Sequence, residues 1–215
     1  MVLMVSNVKI KKSALKITEE VFNSLTHGIG AIMGIIGLTI GLFTISATTD
    51  INISYIVYGV CLIILMIVSS LYHALFFTKA RNIFKILDHS GIYLLIAGSY
   101  TPLVVYLYSG WAQIIILALI WALAIAGVVF KASMPVKMAK YSMALYIGLG
   151  WLALFLIPKL LSLPNIVLYL IILGGVLYTI GASLLAFKKP FIHVAWHVFV
   201  VAAATAHFFA ITILV

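Results

Sequence analysis

Residues 53–77 read ISYIVYGVCLIILMIVSSLYHALFF, without an aspartate, glutamate, lysine or arginine among them. The apolar run is continuous rather than alternating, so it does not read as a strand with one wet face. At a rise of about 1.5 Å per residue, a helix of this length crosses the roughly 30 Å of hydrocarbon in a bilayer. The stretch is a transmembrane helix, and the rest of the chain repeats its pattern. Comparable runs lie at about 21–46, 86–108, 112–130, 141–157, 166–187 and 191–214. Breaks between them carry Asp50 and Asn52, Ser109-Gly110, Pro135, Pro158 and Pro164, and Lys188-Lys189-Pro190, which are turn and stop residues.

Composition agrees. Of the 215 residues, 66% are hydrophobic and 8% charged, where a soluble domain carries roughly a quarter charged residues. A transmembrane barrel would show ten-residue alternating strands. The fold class is therefore an all-α, seven-helix transmembrane bundle. It has one membrane domain, 21–215, preceded by a basic segment, 1–20, expected as a short helix on the membrane surface. The run from Val21 is too long for a signal-peptide core and stands as the first span. One cysteine, Cys61, permits no disulfide within the chain and no CxxC motif. Gly30-x3-Gly34 and Gly37-x3-Gly41 place small residues on one side of the first helix, a spacing that lets helices approach closely.

The cations set the orientation. Lys9, Lys11, Lys12 and Lys16 precede the first span; Lys79, Arg81 and Lys85 lie between the second and third. Lys131, Lys137 and Lys140 lie between the fourth and fifth, and Lys188 and Lys189 between the sixth and seventh; of 13 Lys and Arg, Lys159 alone falls on the other side. Cytoplasmic loops collect such residues, so the N-terminus is expected inside and the C-terminus outside. The net charge of +9 then reflects topology and anionic headgroups rather than nucleic acid.

Polar residues inside spans are costly and mark function. The set comprises Asn23, His27, Ser69, Ser70, His73, Asp88, His89, Ser99, His193, His197 and His207. His193 and His197, four apart, project from one face of a helix, either as metal ligands or as hydrogen-bonded packing residues. Depth favours the metal. Counted along their helices, His73 lies about 6 Å inside the cytoplasmic edge, His193 about 3 Å, His197 about 9 Å and Asp88 about 3 Å. Three imidazoles with an open fourth position suit a catalytic zinc; copper, nickel and iron accept the same donors. His27, at the depth of His197, is either a rival ligand or a supporting residue. His89 points away from Asp88 toward the headgroups. His207, about 21 Å along the helix from His193, cannot share its metal and is expected to be hydrogen-bonded in the outer half.

The segments Glu20-x-x-Asn23-x-x-Thr26-His27, Ser69-x3-His73, Asp88-x-Ser90-Gly91-Ile92 with Gly98-Ser99-Tyr100-Thr101-Pro102, and His193-x3-His197 together resemble the hemolysin III family. That family is the bacterial branch of the progestin and adiponectin receptor superfamily, which is similar to the alkaline ceramidases. The resemblance covers all seven spans. It implies zinc held by His73, His193 and His197, a zinc-bound water held by Asp88, and Ser69 beside the site. In the adiponectin receptors the histidine matching His27 is not a ligand. The implied location is the cell membrane, as a multi-pass protein of the bacterial inner membrane.

The functional expectation is a zinc-dependent hydrolase of a lipid amide or ester bond, ceramidase-like in chemistry. Asp88 would act as proton acceptor and Ser69 as hydrogen-bond donor. The substrate's acyl chain would enter laterally from the membrane, helped by a kink at Pro102. The alternatives are a membrane-perturbing or pore-forming hemolysin, or a regulator or receptor of lipid state, each with a structural zinc. Polar residues crowded at one end of the spans favour the hydrolase. A topology reporter fused after Val215 should report the exterior, and one in the 131–140 connection the cytoplasm. The same side for both would refute seven spans.

Overall fold

The computed structural model describes every residue except Met1, Ser46, Val136, 138–140 and Lys188, and for residues 2–12 the backbone alone. Lys140, Lys188, the Ser46 end of the expected first span and the side chains of Lys9, Lys11 and Lys12 lie outside the described residues. Among the described residues there is no strand. The helices are α1 (Val2–Thr44), α2 (Thr49–Ala74), α3 (Arg81–Leu107), α4 (Gly110–Ser133), α5 (Ser142–Gly150), α6 (Ile157–Leu160), α7 (Asn165–Leu184) and α8 (Ile192–Leu214), with a 3₁₀ segment, Trp151–Leu156, joining α5 to α6. Seven stretches are long and apolar enough to cross a membrane, the fifth being Ser142–Leu160.

The first helix departs from expectation. α1 is continuous from Val2 to Thr44, so no break separates a surface segment, 1–20, from a span beginning at Val21. No glycine or proline interrupts Lys16-Ile17-Thr18-Glu19-Glu20-Val21, and both glutamates find partners within the bundle. The helix can therefore carry them inward without breaking.

Helices α2 and α3 pack along each other, as do α1 with α2, α3 with α4 and α7 with α8. The last helix also touches α1, α2 and α3, which closes the bundle. Buried tyrosines tie the elements together by spending their hydroxyls on polar groups of other helices, as membrane burial demands. Tyr58 donates to the Ala204 carbonyl at 3.2 Å. Tyr55 meets Thr212 Oγ1 at 3.2 Å. The glycine stripe of α1 receives large side chains rather than another backbone: a Cβ at Gly37 would stand 2.6 Å from Phe208 Cζ, and one at Gly30 2.9 Å from Met66 Sδ.

The fifth span runs to Leu160, past the expected end at 157, and it is not a uniform helix. Pro158 has no N–H to return to the carbonyl one turn earlier, and the turns before it tighten into the 3₁₀ segment Trp151–Leu156. Such a switch strands carbonyls in an apolar interior. Tyr100 of α3 meets that need, donating its hydroxyl hydrogen to Gly150 O at 2.5 Å with Leu149 O 3.2 Å away. Tyr100 is 5% exposed, so water is no substitute. Tyr100→Phe should destabilise the bundle by about 1–3 kcal/mol, the cost of a buried acceptor left without a donor. Thermal unfolding of the detergent-solubilised protein measures it; an unchanged midpoint would show that these carbonyls have another donor.

Candidate metal centre

The site is built where three helices end together. His73 lies one residue from the C-terminus of α2, and His193 and His197 occupy the first two turns of α8. The α1 residues Glu20, Asn23 and His27 follow each other at three and four positions, which puts them on one face. α1 lies against both α2 and α8, so this face looks onto the histidines.

One nitrogen from each of His73, His193 and His197 lies within 4.8 Å of the other two; His73 and His197 are buried and His193 is exposed. Their rings are neighbours: His73 and His197 centroids are 4.8 Å apart, His193 and His197 4.7 Å, and His73 and His193 5.2 Å. This group could hold a metal ion. The donor atoms fit that role. His73 is bonded through Nδ1 to Glu20, which leaves Nε2 buried without a partner, and His197 Nδ1 is likewise buried and unpartnered. A buried polar atom with no partner costs about 1–3 kcal/mol, a cost that ligation removes. Nitrogens on a tetrahedral ion at about 2.0–2.1 Å stand about 3.4 Å apart. The trio must therefore close by as much as about 1.4 Å, and the exposed His193 is the ring with room to move.

Glu20 is the residue whose part the sequence reading missed. Its carboxylate is 7% exposed, with Oε2 accepting from His73 Nδ1 at 2.6 Å and Oε1 accepting from Arg81 Nη2 at 2.6 Å. Arg81 also lies over the Tyr72 ring, 5.1 Å from its centroid. Counting depth along an uninterrupted α1 would have found Glu20 beside Asn23 and His27; ending the span at Val21 hid it. Lys131 was also missed. Counted as a connection lysine, it is 3% exposed and directs Nζ to Ser142 Oγ at 3.3 Å, with its charge near Asp88.

The other expected residues take distinct places. His27 is 3% exposed, its ring 3.9 Å from that of His197, and neither of its nitrogens has a partner. It lies outside the three-histidine ligand group. Ser69, fully buried one turn before His73, neighbours Asp88 but not within hydrogen-bonding geometry. Asp88 also stands outside the ligand group and is partly exposed. His89, 30% exposed at its side chain, donates Nδ1–H to the Lys85 carbonyl at 2.7 Å while lying 3.5 Å from an Asp88 oxygen. It therefore diverges from Asp88 less than adjacent positions on a helix suggest. His207 is far from this end; its Nε2–H donates to the Ile171 carbonyl at 3.1 Å, as expected of a hydrogen-bonded histidine in the other half.

Two cavities open within the bundle. A polar cleft of about 460 Å³ is lined by His73 and His193 together with Lys16, Asn23, Tyr72 and Arg81. An apolar cavity of about 450 Å³ lies deeper, among α3, the fifth span, α7 and α8. Its lining includes Leu65, one turn before Ser69, and Trp196, which directly precedes His197.

Comparison with known proteins places this geometry. Residues 15–208 match the model of a family described as haemolysin-III related. The chain is similar to Hemolysin-3 of Bacillus cereus, 38% identical over 207 residues, covering 94% of each protein. It is also similar to the Hemolysin-3 homolog of Bacillus subtilis (strain 168), 36% identical over 200 residues, covering 91% of this chain and 93% of that one. The human monocyte to macrophage differentiation factor is 27% identical over 202 residues, 90% of this chain and 83% of that protein. Metal analysis of the purified protein should find about one ion per chain, lost in His193→Ala/His197→Ala and kept in His207→Ala. Full retention in the double variant would exclude the site.

Proposed function

This chain belongs to the haemolysin-III-related family, a multi-pass membrane protein, and we propose that it is a zinc-dependent hydrolase of a lipid amide or ester bond, with its site toward the cytoplasmic face. The observation that carries the reading is the group of three imidazole nitrogens within 4.8 Å of one another. A histidine-only, thiol-free donor set suits zinc. When bound there, zinc supplies Lewis acidity toward a carbonyl and toward water.

The chain's own residues supply the rest. His73, His193 and His197 would hold the ion through neutral imidazole nitrogens. Asp88, beside the site rather than in the ligand group, takes the proton released as water oxygen bonds to the acyl carbon. It returns that proton to the amine or alcohol when the C–N or C–O bond breaks. Ser69 has a buried hydroxyl beside Asp88, placed to donate to the acyl oxygen as negative charge develops there.

A lipid substrate is supported by the apolar cavity, whose volume of about 450 Å³ falls in the usual range for small-molecule sites, roughly 300–1,000 Å³. Its wall includes the outward-exposed Leu154, Leu161 and Ile172, so an acyl chain has a lateral way in between the fifth span and α7. Pro102, expected at that entrance, is buried and is not part of the cavity lining.

The name of the Bacillus cereus relative, Hemolysin-3, supports a second reading, membrane perturbation around a structural zinc. A pore needs a polar path through the whole bundle. Among the described residues, the unpartnered buried polar atoms instead surround the histidines or lie within about two turns of Asp88, which favours the hydrolase.

Asp88→Asn separates the two readings. The amide keeps the shape but is no useful base, so the variant should stay folded, keep much of its zinc and lose about 10²–10⁴-fold in activity. The assay is release of fatty acid from a panel of N-acyl and O-acyl lipids in vesicles, with metal content measured on the same sample. A zinc-loaded, fully active variant would remove Asp88 as the base.

A further inference from the structure

Two adjacent carboxylates on α1 engage the two helices that carry the histidines. Neighbouring residues on a helix point about 100° apart, so Glu19 and Glu20 address different partners. Glu20 turns to α2 and bonds His73 Nδ1 at 2.6 Å. Glu19 turns to the start of α8, where its Oε1 accepts the backbone N–H of Phe191. We propose that Glu19 and Glu20 are positioning residues for the metal, each aligning one of the two ligand-bearing helices; this rests on the metal reading of the three histidines.

For Glu20 the effect is tautomeric and angular. A carboxylate accepts hydrogen bonds and donates none, so the Nδ1 it faces carries the proton and Nε2 presents the lone pair. Nε2 is the buried, unpartnered atom of that ring. A carboxylate behind a histidine ligand orients the ring and raises its basicity. Arg81 Nη2, at 2.6 Å from the other oxygen and stacked over Tyr72, keeps Glu20 from rotating away.

For Glu19 the effect is on the backbone. Phe191 has φ 61°, the left-handed region that a Cβ disfavours. It is the N-cap of α8, two residues before His193. Its carbonyl accepts the Ala195 N–H at 3.0 Å, so its conformation sets how the first turn, and with it His193, leaves the connection. The Glu19 carboxylate holds the N–H of this strained residue and so pins the phase of α8. The two glutamates share one rigid helix, which fixes the relative placement of His73 and the His193–His197 pair.

The test is zinc affinity, measured by competition with a chromophoric chelator on the full-length protein in detergent. Glu20→Ala should bind about 10–100-fold more weakly than the unaltered chain. Glu20→Gln, which preserves an acceptor for Nδ1–H but not the charge, should fall between the two and serves if the alanine variant does not fold. Glu19→Ala should bind more weakly as well. Adding Phe191→Gly to it should restore much of the affinity, because glycine takes the left-handed conformation without strain. Thermal unfolding of chelator-treated samples distinguishes a merely structural role, which would lower the midpoint and leave the affinity of the folded protein alone. Unchanged affinity in Glu20→Ala or, if that does not fold, in Glu20→Gln, or a Glu19→Ala defect that Phe191→Gly does not relieve, would overturn the positioning role. If the unaltered chain itself binds no zinc, the metal reading fails instead.

Discussion

A carboxylate inside a membrane bundle has no water to fall back on, and its burial costs several kcal/mol unless other groups compensate it. Glu20 meets that demand with two charge-assisted contacts, to His73 and Arg81. Much of the site's arrangement follows. The contact to His73 decides which imidazole nitrogen is free and ties α1 to the end of α2, and the contact to Arg81 ties α1 to the start of α3. Because Glu20 sits on α1, both contacts also hold that helix against the bundle, where Asn23 and His27 face the same side. The Ser24–Ser70 pair, with Ser70 Oγ donating to the Ser24 carbonyl at 2.9 Å, fastens the same two helices one turn deeper.

His73 and His193 border a polar cleft bounded by α1, the end of α2 and the start of α8. The bundle also holds an apolar cavity among α3, the fifth span, α7 and α8, with Leu65 and Trp196 in its lining. The 3₁₀ tightening of the fifth span belongs to the same design. It bends part of the cavity wall out of regular helix, and Tyr100 is the cross-brace that makes the irregular backbone tolerable at membrane depth.

Much of this was legible in the sequence because the membrane simplifies the code. Continuous apolar runs gave the spans, since lipid leaves helices few alternatives, and the depth count along α2 and α8 brought His73, His193 and His197 together. What escaped had a common cause. Glu19, Glu20 and Lys131 are charged residues at span ends, where a charge reads by default as solvated or topogenic. Only the packing of α1 against α2 and α8, and of α4 near Ser142, reveals that Glu20 and Lys131 are buried and that all three have partners. The fifth span's end moved because a proline marks where hydrogen bonding must change, not where the chain leaves the membrane. The glycine stripe was correctly taken as a packing surface, but residue spacing does not distinguish a helix backbone from a Phe208 ring as its occupant.

That α1 meets α8 gives the protein a built-in order of assembly. Synthesis delivers the N-terminal elements first, and Glu20, His73 and Arg81 all belong to the first three. Their mutual contacts can form as soon as α3 begins to enter the bilayer, neutralising an otherwise costly charge while the rest of the chain is still being made. His193 and His197 arrive only with α8, so the three-histidine group is complete only after the earlier spans have been made. An unfinished chain thus carries only His73 of the three imidazoles that could hold a metal. The group becomes complete only when α8 has closed against α1.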